Sequence, residues 1–396
     1  MSFFELPIIP YNKNIISTID IKFSQNNNVP VVINKTLMVY LKNVKKEIDS
    51  RQIEWDKYKK YTNPYEYIHT LVPNSKQAIC KLKPLSRSFY KMIEIFGLLE
   101  INDSLPKDCK TFHLAEGPGG FIEALTELRK NRKDNYIGMT LLDENDISIP
   151  AWKKSSFFLD NNPNVYIEKG EDGTGNIMSA ENLKSCFNKY GGKIDLITGD
   201  GGFDFSSDFN QQEIISSKLI FCQIAFATAI QKKGGTFILK FFDTFTKTSI
   251  DMIYLLSILY EKVYFIKPNT SRYANSEKYI ICKNFRLDDS EILIKKLYNI
   301  FNSFSEEQNI TRILNIEIPY FYQCKIEEIN AIFGQQQIES IANTLNLIDN
   351  NKHERLENLK KINIQKCISW CQRYKQPYNK IITNTNIFLS KINQAD

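Results

Sequence analysis

The sequence contains few of the residues on which histidine- or metal-based chemistry depends. Among 396 residues there are three histidines, at positions 69, 113 and 353. The eight cysteines are scattered, and Cys367 and Cys371 have neither a second cysteine pair nor a histidine close by in the sequence. We therefore expect no metal site and no histidine dyad. Cysteines inside apolar runs, such as Cys222 and Cys282, are typical of buried thiols in a reducing compartment.

Long apolar runs are also missing. The run at residues 252–259 is far too short to cross a membrane. The first thirteen residues lack the basic segment and the apolar stretch of a signal peptide. We therefore expect a soluble intracellular protein with no membrane partner, in the cytoplasm or the nucleus. Frequent Asn, Ile and Lys indicate an AT-rich genome, a class that includes large cytoplasmic DNA viruses.

The composition permits a sizeable core and a polyanionic partner. Hydrophobic residues make up 42% of the chain, aromatic residues 12%, and the net charge is +6. The length suits one large domain with an appendage, or two domains. A mildly basic balance is compatible with RNA as a partner. A lysine-rich solvated surface explains the same charge equally well.

Strand and helix patterns alternate over the middle of the chain and predict a parallel, doubly wound α/β sheet. The last two strands predict an antiparallel hairpin at the edge of that sheet. The strand patterns lie at residues 111–115, 135–141, 164–169, 193–199, 235–242, 262–267 and 277–284.

The flanking segments differ from this middle region. Residues 1–35 show no clear period and predict an extended lead-in, whereas residues 36–60 predict a helix. Helical patterns dominate after residue 285. We therefore expect an N-terminal extension over 1–60, a catalytic domain over 61–285 and a helical C-terminal region over 286–396.

A glycine-rich turn follows the first strand of the predicted sheet. Residues 114–121 read Leu-Ala-Glu-Gly-Pro-Gly-Gly-Phe, so an apolar strand ends at an acid and a helix begins after three glycines. A strand, a tight turn and a helix N-terminus form the nucleotide-binding unit of doubly wound sheets, where glycine lets the backbone approach a ligand. The spacing differs from that of dinucleotide folds. A purely structural role explains the turn about as well.

Three further positions place charged side chains near strand ends. Asp200 ends an apolar strand before two glycines, in the crevice where α/β proteins bind ligands, although an Asx-turn or helix cap also explains it. Lys240 lies at the end of an apolar strand, where an unpaired charge is costly, unless it snorkels to the surface. Glu277 opens the last strand after a polar loop, which a surface turn would also explain.

Together with Lys91, which precedes the first strand, these positions resemble the Lys–Asp–Lys–Glu tetrad of the FtsJ-like (RrmJ-type) 2′-O-methyltransferases. Within that family the sequence is most similar to the cap-1 mRNA (nucleoside-2′-O-)methyltransferases. The similarity covers residues 60–285 and, more faintly, 362–377. It is carried by residues 86–92, 115–121, 172–177, 200–203 and the run 222–283.

The resemblance implies a Rossmann-like, S-adenosylmethionine-dependent methyltransferase and assigns roles by position. The catalytic residues would be Lys91, Asp200, Lys240 and Glu277. The cofactor-binding residues would be Ser86, Glu116, Gly117, Pro118, Gly119, Gly120, Phe121, Asp172 and Asn176. The residues along the RNA would be Asn210, Gln211, Gln212 and Asn275. Ser86 and Asn176 depart from the Asn and Asp that are usual in the family.

The implied reaction needs alignment and proton removal, because a ribose 2′-hydroxyl is a poor nucleophile. Our hypothesis makes Lys240 the general base, oriented by Asp200, while Glu277 fixes Lys91 and the ribose. A lysine base must be deprotonated, and burial beside a second cation favours that state. The basic, aromatic segment 57–91 offers Tyr58, Tyr61, Tyr65, Tyr67, Phe89 and Tyr90 for stacking on RNA, unless most of these rings belong to the core.

Three functions remain open at this stage. The resemblance favours methylation of the first transcribed nucleotide of capped mRNA, with a capping or transcription factor as a further partner. The same chemistry on ribosomal or transfer RNA is the first alternative. A catalytically silent RNA-binding or scaffold subunit is the second, and the intact tetrad argues against it.

Overall fold

The structure, a computed structural model, describes residues 2–25, 29–143, 146, 149, 151–202, 210–305, 308–350 and 352–381. The chain divides into two compact units. The first comprises Met1–Glu47 and Pro84–Glu339, and the second Ile48–Lys83 and Ser340–Asp396. Both units are therefore built from two stretches of sequence, and their limits cut across the three consecutive regions expected above.

The first unit contains the main sheet. In the described residues the strands are β1 (Ser2–Glu5), β2 (Ile19–Ser24), β3 (Lys110–Leu114), β4 (Asn135–Met139), β5 (Val165–Ile167), β6 (Ile194–Gly199), β7 (Gln231–Phe241), β8 (Tyr260–Lys267), β9 (Lys278–Phe285) and β10 (Asn309–Leu314). Eight of them form one sheet in the order β1-β8-β9-β7-β6-β3-β4-β5, and β2 pairs with β10 separately.

The direction of the strands confirms the predicted fold class. β3 pairs in parallel with β4 and β6, and further parallel pairs join β4 to β5 and β6 to β7. β9 lies antiparallel between β7 and β8. The prediction that this hairpin forms the edge is wrong, because β1 pairs antiparallel with β8, from Ser2 opposite Lys267 to Glu5 opposite Tyr264.

Helices make up much of the described chain. They are α1 (Ile15–Thr18), α2 (Lys35–Asp49), α3 (Gln52–Thr62), α4 (Ser88–Leu99), α5 (Ile101–Ser104), α6 (Gly120–Arg129), α7 (Ser156–Asn161), α8 (Ala180–Tyr190), α9 (Gln212–Ile230), α10 (Lys247–Leu259), α11 (Glu291–Asn302), α12 (Tyr320–Asp349) and α13 (His353–Arg373). The single helix predicted over 36–60 is wrong: α2 ends at Asp49 and α3 begins at Gln52. The lead-in predicted over 1–35 contains β1, α1 and β2.

Helix α9 corrects the expectation that apolar runs of membrane-spanning length are missing. By length and composition this helix could cross a membrane, and it is the only such helix among the described residues. However, 83% of its apolar window is buried inside the protein. It contacts β6 and β7 as well as α8, α10, α11 and β10. A helix enclosed on all these sides is apolar all round, because it has almost no solvent-facing side.

The second unit is a small helical assembly. Its α3 and α13 contact each other and a 3₁₀ turn, Glu66–Ile68. Asn363 of α13 donates to the Tyr61 carbonyl at 2.7 Å. Trp55 and Trp370 contribute to its buried apolar residues. This unit therefore has an apolar core of its own.

Candidate active site

The order of the parallel strands reverses between β3 and β6, because β4 and β5 follow on one side of β3, and β6 and β7 on the other. The carboxyl ends of β3 and β6 are therefore the topological switch point of the sheet. Leu114 pairs with Gly199 across these strands, and the Asp200 N–H donates to the Leu114 carbonyl at 3.3 Å. The glycine turn that follows β3 and the acid that follows β6 are thus neighbours. Ligands of open α/β sheets bind in this position.

Lys91 and Glu277 form the first ion pair of the candidate site. The Lys91 ammonium lies 2.7 Å from Glu277 Oε1 and 2.8 Å from Oε2. Both side chains are largely buried, with 11% and 13% of their surface exposed. α4 supplies the lysine and the residue before β9 supplies the acid. The structure therefore brings together two predicted residues that are 186 positions apart.

Lys240 and Asp200 form the second ion pair. The Lys240 ammonium donates to the Asp200 carbonyl oxygen at 2.6 Å and lies 3.4 Å from the carboxylate Oδ1. These side chains are 13% and 15% exposed. Lys240 lies near the end of β7 and Asp200 directly after β6, so parallel pairing places them at the same rim. Because the Lys240 ammonium is paired with Asp200, the alternative that this side chain extends to the protein surface is excluded.

Tyr279 contacts one residue of each ion pair, Asp200 and Lys91. It was not among the site residues identified from the sequence. Its hydroxyl donates to Asp200 Oδ1 at 2.8 Å, and its ring centre lies 5.8 Å from the Lys91 ammonium. It stands opposite Lys240 in the β7–β9 register. It also lies two positions after Glu277, and side chains two apart in a strand share a face. That spacing is the signal that could have identified it.

The loop between β8 and β9 holds Glu277 from several sides. Ser271 donates to Glu277 Oε1 at 2.7 Å, and the buried Lys267 ammonium donates to the carbonyls of Glu277 and Asn275 at 2.6 and 2.7 Å. Burial alone would raise the pKa of Glu277, but the charges of Lys91 and Lys240 and the hydrogen bonds lower it below its ordinary value. Glu277 is therefore an ionised partner for Lys91 at neutral pH.

The buried Lys267 is itself perturbed. Desolvation lowers its pKa to about 7, although the negative charge of Glu277 acts in the opposite direction. Its ammonium also contacts Asn275 Oδ1 at 3.1 Å. Three acceptors for three N–H bonds satisfy the charged form. Lys267 thus fixes the loop that carries Glu277.

The glycine turn is organised by Glu116 in a way that the sequence did not reveal. Glu116 Oε1 accepts from the backbone N–H groups of Phe121 and Ile122, at 2.6 and 3.1 Å. These amides open α6, so the carboxyl caps the helix that was expected to offer free N–H groups to a ligand. Burial and the charge of Asp200 raise the pKa of Glu116 well above its ordinary value.

Protein packing and backbone conformation favour glycine at three positions of the turn. A Cβ on Gly117 would lie 2.4 Å from the Ala151 carbonyl oxygen. A Cβ on Gly120 would lie about as close, at 2.1 and 2.2 Å, to the hydroxyls of Ser86 and Ser88, which contact each other. Gly119 has a φ of +108°, a conformation that favours glycine. Ser86 therefore lies beside the turn, and its contact with the cofactor stays a prediction.

A second loop, expected near the adenosine of the donor, lies beyond β5. Asp172 is exposed and accepts from the side chain of Asn182 at 2.9 Å. The side-chain oxygen of Asn176 accepts a hydrogen bond from the Met178 N–H at 2.9 Å. Leu142, three residues beyond β4, donates its N–H to the Thr174 carbonyl at 2.7 Å. The loop therefore lies beside the end of β4, at the same rim as the glycine turn.

The residues at this rim fit the expected methyl donor. The exposed carboxylate of Asp172 can accept from sugar hydroxyls, and Asp200 is an anion suited to a cationic sulfonium. Trp152 packs its ring near Gly119 and Gly138. Its buried indole N–H has no hydrogen-bond partner among the described residues, which leaves a donor at the rim that a ligand could use.

The predicted RNA-contacting residues are partly brought together. Ser276 donates to Gln212 Oε1 at 2.6 Å, which places the start of α9 beside the loop containing the exposed Asn275. Asn210 and Gln211 are half-buried just before α9. Phe203, at the end of the motif 200–203, lies outside the described residues. Contact of this group with RNA stays a prediction.

The aromatic residues proposed for stacking are mostly core residues. Tyr58, Tyr67, Phe89 and Tyr90 are at most 6% exposed. Only Tyr61 and Tyr65 of the set of six are half-buried. A ring must present a face to stack on a base. The expectation of a stacking surface is therefore wrong for the four buried rings.

Comparison with known proteins gives a family match. The model of the family described as FtsJ-like methyltransferase matches residues 84–285. Cap-specific mRNA (nucleoside-2′-O-)-methyltransferase 1 of Mus musculus and of Homo sapiens are each 31% identical over 269 residues, which is 65% of this chain and 31% of theirs. The Danio rerio protein of that name is 38% identical over 178 residues, 43% of this chain and 21% of its own.

The match spans less than a third of the length of these relatives. A solved structure of a putative ribosomal RNA methyltransferase from Plasmodium falciparum aligns with 51% of this chain and 98% of its own, at 26% identity and a TM-score of 0.37. The family model covers just over half of the present sequence and contains all four tetrad positions. Residues 84–285 are therefore an FtsJ-like methyltransferase domain, for which S-adenosylmethionine is the methyl donor, and the chain belongs to the FtsJ-like methyltransferase family.

Proposed function

We propose that this chain transfers a methyl group to the ribose 2′-hydroxyl of the first transcribed nucleotide of capped mRNA, converting cap 0 to cap 1. The observation that carries the proposal is the convergence of two ion pairs, Lys91–Glu277 and Lys240–Asp200, on Tyr279 at the switch point of the sheet. Relatives named as cap-specific mRNA 2′-O-methyltransferases support the choice of substrate.

The proposed reaction assigns one task to each pair. S-adenosylmethionine supplies, when bound, an activated methyl group on a sulfonium. Lys240, as the neutral amine, takes the proton of the 2′-hydroxyl as the oxygen–methyl bond forms and the sulfur–methyl bond breaks. Asp200 orients the lysine through its carbonyl and carboxylate oxygens. Glu277 holds Lys91 beside the reacting oxygen, where a cation stabilises developing negative charge.

Substrate binding is proposed for the surface where α9 begins beside the β8–β9 loop. Gln212 and Asn275 provide amide groups there, and the Gln212–Ser276 hydrogen bond fixes their spacing. The net charge of +6 supports a polyanionic substrate. We further propose an intracellular location, in the cytoplasm or nucleus, and a capping or transcription factor as a partner.

A methylation assay with matched RNAs tests the proposal. One RNA sequence is prepared uncapped, with cap 0, and with a 2′-O-methyl group already on its first nucleotide, and each is incubated with the full chain and labelled S-adenosylmethionine. We expect transfer to the cap 0 RNA alone. Nuclease digestion and mass spectrometry should locate the label on the first ribose.

Each alternative outcome has a distinct meaning in that assay. Equal labelling of uncapped RNA would contradict cap specificity and favour another RNA substrate. Labelling of the pre-methylated RNA would place the methyl group at a different position. Binding of RNA without any transfer would indicate a catalytically silent subunit.

A further inference from the structure

Helix α12 lies outside the segment matched by the family model, yet its side chains reach the two loops that flank the candidate site. The first is the loop after β7, residues 242–246, which begins two residues after Lys240. The second is the β8–β9 loop, residues 268–277, which ends at Glu277. The part of α12 concerned belongs to the same compact unit as both loops.

Asn330 is the contact to the loop after β7. Its side-chain amide donates to the Thr244 carbonyl at 2.9 Å and to Asn34 Oδ1 at 3.1 Å, and its oxygen accepts from the Thr244 hydroxyl. Asn330 is 3% exposed and Thr244 is fully buried. All these polar groups therefore depend on one another for hydrogen bonds.

Gln337 is the contact to the β8–β9 loop. Its side-chain amide donates to the Ala274 carbonyl at 3.0 Å, three residues before Glu277. Gln337 is 4% exposed. It follows Asn330 by seven positions, two helical turns, so the two amides lie on one face of α12. Phe333, between them, lies under the Lys278 ammonium at 5.6 Å from the ring centre.

The loop after β7 has other attachments outside the family segment. The Asp243 carboxylate pairs with the Lys45 ammonium of α2 at 3.2 Å, and the Phe245 carbonyl accepts from the Val32 N–H at 3.0 Å. Unlike the contacts made by Lys45 and Val32, those of α12 reach both loops. A rigid helix with one buried amide on each loop fixes the distance between them.

We propose that Asn330 and Gln337 are positioning residues for methyl transfer, and that α12 acts as a brace setting the spacing of Lys240 and Glu277. This inference rests on the proposed function, because it concerns the geometry of that reaction. A displacement of about 1 Å in a reacting group can cost on the order of 100-fold in rate. Loss of one amide contact should therefore lower kcat without altering donor binding, since the residues expected to hold the donor lie on other loops.

The test uses the full chain with Asn330→Ala, Gln337→Ala and Gln337→Met. The methionine variant keeps the length and packing of the side chain but removes the N–H donor, so it separates the contact from a cavity effect. Gln335→Ala is the matched control, because Gln335 lies on the same helix, is exposed, and donates to Glu339 of its own helix. Thermal unfolding verifies that each variant is folded.

Two measurements are made on each variant. Amide hydrogen exchange is followed in peptides covering residues 242–247, 268–277 and, as a reference, 117–123. We expect faster exchange in the loop that loses its contact and no change in the reference peptide. Steady-state kinetics on cap 0 RNA should show kcat lowered by about 10-fold, with the dissociation constant of S-adenosylmethionine unchanged.

Several outcomes would overturn the brace. Amide exchange in both loops is compared with that of the wild type. If Gln337→Met leaves exchange in the β8–β9 loop unchanged, the hydrogen bond from Gln337 to Ala274 does not hold that loop. A kcat within about 2-fold of the wild type contradicts a positioning role, as does an equal loss of kcat and donor affinity. If the wild-type chain methylates no RNA, the proposed function fails, and the exchange measurement alone decides whether α12 braces the loops.

Discussion

The Tyr279 hydroxyl donates a 2.8 Å hydrogen bond to the Asp200 carboxylate, the same group that pairs with Lys240. Its ring is fully buried, and the Lys91 ammonium lies 5.8 Å from the ring centre. Burial and the charge of Asp200 raise the pKa of Tyr279 well above its ordinary value. The phenol therefore remains a hydrogen-bond donor at neutral pH, and it connects the two halves of the candidate site.

Replacing this residue by phenylalanine tests the connection. Tyr279→Phe keeps the ring beside Lys91 but leaves Asp200 without one of its donors. Loss of a hydrogen bond to a charged group costs about 1.5 kcal/mol, and we expect kcat to fall by about 10-fold. The dissociation constant of S-adenosylmethionine should change little. The measurement is steady-state methylation of cap 0 RNA beside calorimetric donor binding.

Tyr260→Phe is the matched control for that experiment. Tyr260 is also fully buried, and its hydroxyl donates to Gln231 at the start of β7, away from the carboxyl-end rim. Its removal should lower stability without lowering kcat in folded protein. A Tyr279→Phe enzyme as fast as the wild type would show that the hydrogen bond to Asp200 has no part in the reaction.

Gly117→Ala tests the packing explanation of the glycine turn. The added Cβ would meet the backbone carbonyl of Ala151 at 2.4 Å, so one of the two segments must move. We expect the free energy of unfolding to fall by about 2–3 kcal/mol, as in other overpacked sites. Urea unfolding followed by circular dichroism measures the change.

Gly173→Ala separates this clash from the conformational preference of glycine. Gly173 has a φ of +75°, and a Cβ there would meet no atom within 4 Å. Only the left-handed backbone should be penalised, at about 1 kcal/mol. Equal destabilisation by both substitutions would remove the case for a clash at Gly117.

Glu116→Gln should alter how stability depends on pH. The unfolded Glu116 carboxyl ionises near a pKa of about 4.3, but its folded pKa is raised by burial and by Asp200. Above that unfolded pKa the folded state binds more protons, so this group lowers stability as pH rises until the folded carboxyl also ionises. Glutamine does not titrate and can still accept from the Phe121 and Ile122 amides.

The variant should therefore gain stability relative to the wild type as the pH rises above about 4.3, the pKa of the unfolded carboxyl. Urea unfolding at several pH values measures this difference. Glu116→Ala, which removes the helix cap, should be less stable by about 1 kcal/mol in the acidic range, where the wild-type carboxyl is neutral. A difference between Gln and wild type that stays constant with pH would contradict the raised pKa.

Much of the sheet and of the tetrad could be predicted from the sequence. Apolar runs followed by turns locate the parallel strands, and the carboxyl ends of parallel strands share one rim. That rule is sufficient to bring Asp200 close to Lys240. The contact of Lys91 with Glu277 came from the resemblance, because no local pattern relates α4 to the residue before β9.

The remaining features depend on contacts between distant residues. β1 has only four residues, and its partner β8 lies more than 250 positions away, so no local pattern marks Ser2–Glu5 as an edge strand. The hydrogen bond of Tyr279 depends on the register of β9 against β7. The buried amides of α12 look like ordinary polar helix residues until the loops they contact are placed.

The central claim is tested most directly by Lys240→Ala, assayed on cap 0 RNA together with donor binding. Lys233→Ala is the matched control, because Lys233 lies near the other end of β7 and its pair with Asp288 is exposed. General-base catalysis contributes at least about 100-fold. We expect Lys240→Ala to lose at least that much methyl transfer while binding S-adenosylmethionine normally, with Lys233→Ala unchanged. Wild-type transfer by folded Lys240→Ala would contradict the account.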